Sequence, residues 1–282
     1  MKPARSLLFL VALFVAGLCL GPTHTLADEL PKDTNKIKSL TPEQARRLVT
    51  ENKGNMLSLN GLTTLDAEIA KALAEFKGVV LTLNGLTTLD ADTAKTLAEF
   101  KVLGLTLNGL TTLDADTAKT LVEFKSNLLS LDGLTTLDAD TAKALAEFKG
   151  QNLTLNGLTT LDAETANALV AAQKWDGQLW GLTAFDSPDS IAIAQALASR
   201  RGRLALPNLK KISPKTLTAL IEKRDVEIPL IETLELIPEP DGSANDDFVI
   251  PEWLEEREAK RRERDRRRER DRLKSPFRAE PG

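Results

Sequence analysis

The stretch "LTLNGLTTLDADTAKTLAEFK", residues 81–101, decides the fold because the chain repeats it at a constant interval. Its first residue, Leu81, recurs as Leu105, and residues 105–125 differ from it at a single position, where Ala98 becomes Val122. Near copies begin at three further leucines with the same separation, namely Leu57, Leu129 and Leu153. Self-similarity at a fixed period of this length is typical of repeat architectures, so we expect a stack of equivalent units.

Each unit is predicted to contain one short strand, a turn and one helix of about three turns. Leu81 and Leu83 alternate with polar residues, as in a strand, and Gly85 then permits a tight bend. Asp90 takes the N-cap position of the helix, and the apolar residues after it recur with helical spacing. The dipeptide Asn84-Gly85 also favours a hairpin, which would make the unit strand–strand–helix. The four residues that follow it do not alternate, so we prefer a single strand.

One such unit buries too little apolar surface to offset the conformational entropy that it loses on folding. Stacking on neighbours supplies the missing burial, which is the physical reason for the copies. Equivalent strands then form a parallel sheet with about 4.8 Å between strands, whereas helices are about 10 Å wide. The predicted fold class is therefore an α/β repeat solenoid, curved, with the parallel sheet on its inner face and helices on its outer face. A solenoid of helical hairpins needs about 33 residues per repeat, which is longer than this period and disfavours that alternative.

The spacing Leu-x-Leu-x-x-Leu-x-x-Leu, as in residues 81–89, resembles that of bacterial leucine-rich-repeat proteins. The resemblance covers residues 57–176 well and extends more weakly to about residue 236. Leu86 departs from the common pattern, because that family usually has an inward-facing Asn there. The strand "LALP", residues 204–207, is closer to the bacterial variants, whose strand ends in a Pro or a polar residue. The resemblance implies a curved solenoid and leaves the ligand open.

Residues 1–27 are interpreted as a secretory signal peptide. Lys2 and Arg5 precede an apolar run from Leu7 to Leu20, which is shorter than the ~20 residues of a membrane-spanning helix. The protein is therefore expected to be periplasmic or secreted after cleavage, or membrane-anchored if the segment is retained. Cys19 offers a lipoprotein alternative, although Leu18 before it is too large for a lipobox.

The rest of the chain divides into six parts by composition. They are an N-terminal cap (28–56), five near-identical repeats (57–176), divergent repeats with a C-terminal cap (177–237), a linker (238–250), a charged helix (251–275) and a tail (276–282). The charged helix carries eleven basic and eight acidic residues from Pro251 to Lys274, a net charge of +3. No apolar stripe runs through residues 259–272, so we expect a solvated spacer or a surface-binding helix. Contact with nucleic acid or an anionic membrane is a weaker alternative.

The residues left after removal of the signal segment exclude several chemistries. Cys19 and His24 are the only cysteine and histidine, and there is no tyrosine. A mature chain without them has no disulfide, no thiol nucleophile, no imidazole base and no metal site built on His or Cys. Paired carboxylates or oxygen-ligated calcium stay open. No nucleophile elbow, phosphate loop or zinc spacing is present, so we predict a protein that is not an enzyme and that uses no cofactor.

Two groups of residues are candidates for binding. The first is a polar column on the predicted exposed face of the sheet, formed by Asn60, Asn84, Asn108, Asp132 and Asn156. Its alternative interpretation is a ladder of side chains that bond to one another. The second group is Trp175, Trp180 and Phe185, which break the repeat pattern together. They are either core and cap residues or an aromatic docking site for a sugar or a protein.

The sequence therefore predicts an exported, non-enzymatic leucine-rich-repeat protein that binds a protein or a cell-envelope polymer and is a monomer. One alternative is a structural spacer or assembly module, whose copy number sets its length. A second alternative is a glycan-binding module centred on Trp175 and Trp180. Nucleic acid is not an expected partner, and no membrane span is expected once the signal segment is removed.

Overall fold

The computed structural model describes residues 30–240, Gly242 and residues 249–274. The predicted signal segment, the tail (276–282) and most of the linker lie outside the described residues. The helices are α1 Pro42–Glu51, α2 Ala67–Leu73, α3 Ala91–Ala98, α4 Ala115–Leu121, α5 Ala139–Ala146, α6 Ala163–Ala171, α7 Ser190–Ala198, α8 Pro214–Ile221 and α9 Glu252–Lys274. The strands are β1 Met56–Ser58, β2 Val80–Thr82, β3 Gly104–Thr106, β4 Leu128–Ser130, β5 Asn152–Thr154, β6 Lys211–Ile212 and β7 Glu235–Leu236.

Strands β1 to β5 form one parallel sheet in chain order. The register equals the sequence period, since Leu57 pairs with Leu81 and Leu81 with Leu105. One helix follows each of these strands, so the predicted alternation of helices with a parallel sheet is confirmed. The hairpin alternative is wrong, because the Asn-Gly pair forms a turn and no second strand follows it before the helix.

The helices of the uniform repeats begin where the sequence predicts and end earlier. Asp90 caps α3 by accepting a hydrogen bond from the Thr93 N–H at 2.7 Å, and its equivalents cap α2, α4, α5 and α6. Helix α3 has 8 residues, fewer than the predicted three turns require. It stops because the Glu99 and Phe100 N–H groups donate to carbonyls three residues earlier, those of Thr96 and Leu97, and not to carbonyls four residues earlier. This tight last turn carries Phe100 into the core, where it is buried.

Neighbouring units share one core and a repeated hydrogen bond. The first three leucines of the second unit, Leu81, Leu83 and Leu86, are fully buried. The Thr165 hydroxyl, in the first turn of α6, donates to the carbonyl of Leu137 in the preceding unit at 3.1 Å. Thr93 and Thr141 make the same contact in two of the earlier units. Each of these threonines is buried, so it joins layers and does not face a ligand.

The glycine of each Asn-Gly pair is required by the approach of the next layer. A Cβ atom at Gly109 would lie 2.3 Å from the carbonyl oxygen of Asn84 and 2.5 Å from that of Leu86. Gly109 does not have a positive φ. The constraint here is therefore the space between two stacked turns, whereas the sequence had suggested only a tight bend.

The uniform register ends after β5. Leu153 bridges Trp175 across an interval shorter than the repeat period, and Gln178 bridges Ala205 across a longer one. Trp175 is buried, and Gly177 stands at the next leucine position of the frame. The leucine-like spacing returns in the two units that follow. The buried residues are Leu204, Leu206, Leu209 and Ile212 in the first of these, and Val226, Ile228, Ile231 and Leu234 in the last.

The first half of α9 packs on this last unit. Leu254 is fully buried, and Glu258 accepts a hydrogen bond from the Ile231 N–H at 2.8 Å. Arg257 and Arg261 donate to backbone carbonyls of the last unit, those of residues 224, 226 and 228. From Glu263 to Asp271 the helix is exposed. The expected solvated helix is thus found only in its second half, because the first half covers the edge of the stack.

Within the part of the chain that the structure describes, no helix has both the length and the apolar character that a membrane crossing requires.

Candidate functional site

The predicted polar column is a ladder of hydrogen bonds between units. Each side-chain oxygen accepts from the backbone N–H of the equivalent residue one unit later. The bonds run from Asn84 N to Asn60 Oδ1 (3.0 Å), Asn108 N to Asn84 Oδ1 (3.0 Å), Asp132 N to Asn108 Oδ1 (3.0 Å) and Asn156 N to Asp132 Oδ1 (2.8 Å). Asn35 begins the ladder by accepting from Asn60 N at 3.3 Å.

This ladder uses the side-chain oxygens that a ligand would otherwise contact. Asn60 is exposed, but the other four members are half-buried. The ladder ends at Asn156, whose Oδ1 is buried without a partner. The register changes after β5, and here the Gly181 N–H donates to the backbone carbonyl of Asn156 at 2.8 Å. The column therefore joins the layers to one another, but through backbone N–H groups and not through bonds from one of its side chains to another, as the alternative interpretation had it.

Removal of one rung is expected to destabilise the stack. Asn84→Ala leaves the Asn108 N–H without its acceptor, which costs about 1–3 kcal/mol when such a group is partly buried. Asn84→Asp keeps the acceptor, as Asp132 does further along the ladder. Urea unfolding of both variants measures the difference. Equal losses for alanine and aspartate would contradict a role for this oxygen.

The three predicted aromatic residues do not share one surface. Trp175 and Phe185 are buried, whereas Trp180 is 48% exposed. The Arg200 guanidinium stacks 4.5 Å from the centre of the Trp175 ring and donates to the carbonyl of Arg203 at 2.9 Å. Trp175 and Phe185 thus belong to the core of the divergent units.

Trp180 alone among the three is open to a ligand. Its Nε1 donates to Gln178 Oε1 at 3.0 Å, and Gln178 in turn donates to Asp176 from its backbone N–H and from its amide. Burial raises the pKa of the Asp176 carboxyl, and the nearby Asp132 carboxylate adds to that rise. These hydrogen bonds hold one exposed aromatic ring. The aromatic surface open to a ligand is therefore much smaller than the three-residue site that the sequence predicted.

A different surface emerges from the few positions at which the copies disagree. The four units from Leu57 to Asn152 show more than two residue types at only three positions, which are the last two residues before each strand and the first residue of that strand. With the corresponding residues of the leading unit, these positions form what we call the variable strip: residues 54–56, 78–80, 102–104, 126–128 and 150–152. Elsewhere at most two residue types alternate at each position of these units, such as Ser with Thr or Asp with Glu.

The variable strip also carries much of the exposed apolar surface. Met56 is 57% exposed, Val79 37% and Leu103 49%. These are three of the six large hydrophobic side chains that are exposed among the described residues. Because strands pair in exact sequence register, the three residues come from three successive layers. The second half of the strip is polar, with Asn127 and Gln151 in it.

Two concave surfaces lie beside the variable strip, at the ends of the helices. A groove of about 960 Å³ lies between the ends of α3 and α4, with Phe100, Leu103 and Asn127 in its lining. A second depression of about 650 Å³ lies at the corresponding place between α1 and α2, beside Lys53 and Gly78. A row of lysines that follows the helices, Lys77, Lys101, Lys125 and Lys149, is exposed next to the strip.

Sequence reasoning missed this surface because it concentrated on what the copies share. An alignment of the copies position by position contains the signal, since only these three positions take more than two residue types among the four units. Their exposure could not be read in the same way. It depends on where the chain leaves the helix and joins the sheet.

Within the described ranges, no three or more Asp and Glu side chains are placed to hold a metal ion. No protein-family model matches the chain, and no curated protein matches it either.

Proposed function

We propose that this chain is an exported, non-enzymatic protein of the leucine-rich-repeat type that binds a protein partner through the variable strip. The near-invariant positions build the stack, so they are the same in every layer. The strip is where one layer differs from the next. A surface of this kind can recognise an irregular partner, whereas five equal layers cannot.

The observation that carries the proposal is the coincidence of variation with exposed apolar side chains. Many positions of the repeat are buried, cap a helix or join layers. Met56, Val79 and Leu103 do none of these and expose apolar surface across three layers. Val79 and Leu103 hold the same register position in adjacent layers, and exposed apolar side chains that lie side by side mark interaction sites on soluble proteins. A curved stack with its helices outside would leave this strip accessible along one rim.

A matched pair of variants tests the proposal. Leu103→Ser changes the strip, and Leu236→Ser changes a leucine of nearly equal exposure (49% against 47%) outside it. We expect the wild-type chain, immobilised without residues 1–27, to retain a protein from an envelope extract. Leu103→Ser should lower that retention about tenfold, since a buried leucine contributes roughly 1.5–3 kcal/mol.

The control decides the interpretation. Leu236→Ser should retain the same protein at the wild-type level. Equal loss in both variants would indicate non-specific adsorption to exposed leucines. Unchanged retention by Leu103→Ser would exclude the strip as the binding surface and favour a spacer, whose reach should shorten in steps when internal repeat units are deleted.

A further inference from the structure

The groove between the ends of α3 and α4 is open because its walls lack two backbone hydrogen bonds that join the loops at the next junction, although the Leu128 N–H does donate to the carbonyl of Leu103 at 2.9 Å. At the next junction, the Lys149 N–H donates to the carbonyl of Val122 at 2.9 Å and the Gln151 N–H donates to that of Ser126 at 3.1 Å. Among the described residues, the corresponding N–H groups of Lys125 and Asn127 make no backbone hydrogen bond. The loops therefore close on each other at one junction and separate at the one before it.

The lining of the groove includes a continuous apolar part. Phe100 lies in its base with 5% of its surface exposed, and Ala98 beside it is half-buried. Leu103 projects from the rim with 49% of its surface exposed. An aliphatic or aromatic side chain of a ligand could cover this leucine and gain the apolar burial that the free protein lacks.

Lysines surround this apolar part. Lys95, Lys101 and Lys125 line the groove, and within the described residues none of them has a carboxylate within ion-pair distance. By contrast, the lysines at the position of Lys95 in three other units each pair with an acidic residue three positions earlier. Glu99 and Glu123 also line the groove, so its charged side chains sum to +1. That balance suits a ligand with a carboxylate or two and disfavours a polyanion.

The apolar surface continues beyond the groove. Val79 holds the register position of Leu103 one layer earlier, and Met56 lies one layer beyond it and one residue further along its strand. At about 4.8 Å per strand, these two layers add ~10 Å. That distance is about three residues of an extended chain. A small amphiphile would fill the groove and leave these side chains in water, whereas a peptide segment can cover both.

We infer that the groove between α3 and α4 binds a segment of the partner protein in which an apolar side chain stands next to a carboxylate. The apolar side chain packs on Leu103 and Phe100, and the carboxylate lies among Lys95, Lys101 and Lys125. This inference rests on the proposed function, because it names the chemistry of the partner that the variable strip recognises. The repeats do not reproduce this groove elsewhere. Its lining includes Leu103, Ser126 and Asn127 of the variable strip, and no other junction has this combination of residues.

The test uses a random peptide library displayed on phage, selected on the wild-type chain and depleted on Leu103→Ser. We expect enrichment of peptides that carry Asp or Glu beside Leu, Ile, Phe or Trp. The strongest of them, made synthetically, should bind about tenfold more weakly to Leu103→Ser and about threefold more weakly to Lys101→Gln by calorimetry. Lys143→Gln and Leu236→Ser serve as controls and should bind as the wild type does.

Three outcomes would overturn the inference. The first is a selection that yields no peptides able to distinguish the wild type from Leu103→Ser. The second is enrichment of peptides without acidic residues, or peptides whose binding survives Lys101→Gln unchanged. The third is binding of decanoate, a small anionic amphiphile, to the groove in amide chemical-shift mapping while no peptide binds there. The envelope pull-down tests the proposed function independently of these outcomes. If Leu103→Ser retains less of the envelope protein than the wild type does, the proposed function stands even when the inference about the groove fails.

Discussion

Gly109→Ala is expected to lower the free energy of unfolding by about 3 kcal/mol, the upper end of the usual cost of overpacking. The added Cβ would lie 2.3 Å from the carbonyl oxygen of Asn84 and 2.5 Å from that of Leu86. Both atoms belong to the backbone of the preceding turn, so no side-chain rotation can relieve the contact. The two layers must separate, and this strains the asparagine ladder and the strand pairing on either side.

Gly104→Ala is the matched control for this prediction. It makes the same chemical change in the strand just before, and neither glycine has a positive φ. The nearest atom to a Cβ at Gly104 is a Val80 methyl carbon at 3.4 Å, an ordinary contact. We expect Gly104→Ala to unfold within about 0.5 kcal/mol of the wild type. Urea titrations followed by circular dichroism compare the two, and equal midpoints would contradict the close stacking of the turns.

Leu254→Ala is expected to cost about 2–5 kcal/mol, the range for a fully buried leucine. The loss should be local, because Leu254 belongs to the half of α9 that packs on the last unit. Release of α9 also removes Glu258 from the Ile231 N–H and the two arginines from their carbonyls. Amide hydrogen exchange at Ile231 should therefore accelerate strongly, while exchange in β2 and β3 stays slow.

The control for Leu254→Ala is a substitution in the exposed half of the same helix. Arg266 is exposed there, so Arg266→Ala should leave exchange at Ile231 at the wild-type rate. If Leu254→Ala leaves this exchange unchanged, α9 does not cover the edge of the stack in solution.

The uniform part of the fold was accessible to sequence reasoning because one physical rule acts in every copy. The constant interval between copies became the strand register, with Leu81 opposite Leu105. The aspartates before each helix became N-caps. Local chemistry and long-range pairing agree here, so a local pattern was enough.

The divergent units were harder to predict because their spacing changes. Trp175 forms a β-bridge with Leu153, although the repeat period would place Gly177 opposite Leu153. The buried Arg200 stacks on the Trp175 ring. An arginine that donates to backbone carbonyls leaves no periodic pattern in a sequence. The same applies to α9, which contacts the last unit through Leu254, through Trp253 and through four charged side chains, those of Arg257, Glu258, Arg261 and Arg262.

The candidate site was predictable only in part. The asparagines were identified, but their pairing with backbone N–H groups depends on how closely two turns approach. The sequence pattern groups Trp180 with Trp175 and Phe185, which are buried in the core. The variable strip and its groove could not be located without the path of the loop from helix to strand, because exposure there is set by that path.

The position of α9 in the chain has a consequence for biosynthesis. A ribosome makes this helix after every layer that it protects. Until Arg257 and Arg261 have left the exit tunnel, the carbonyl groups that accept hydrogen bonds from them in the finished protein can bond only to water. The nascent array therefore carries an unpaired β-edge for the whole time between completion of its last layer and emergence of these arginines, and this interval is when another nascent chain could join it.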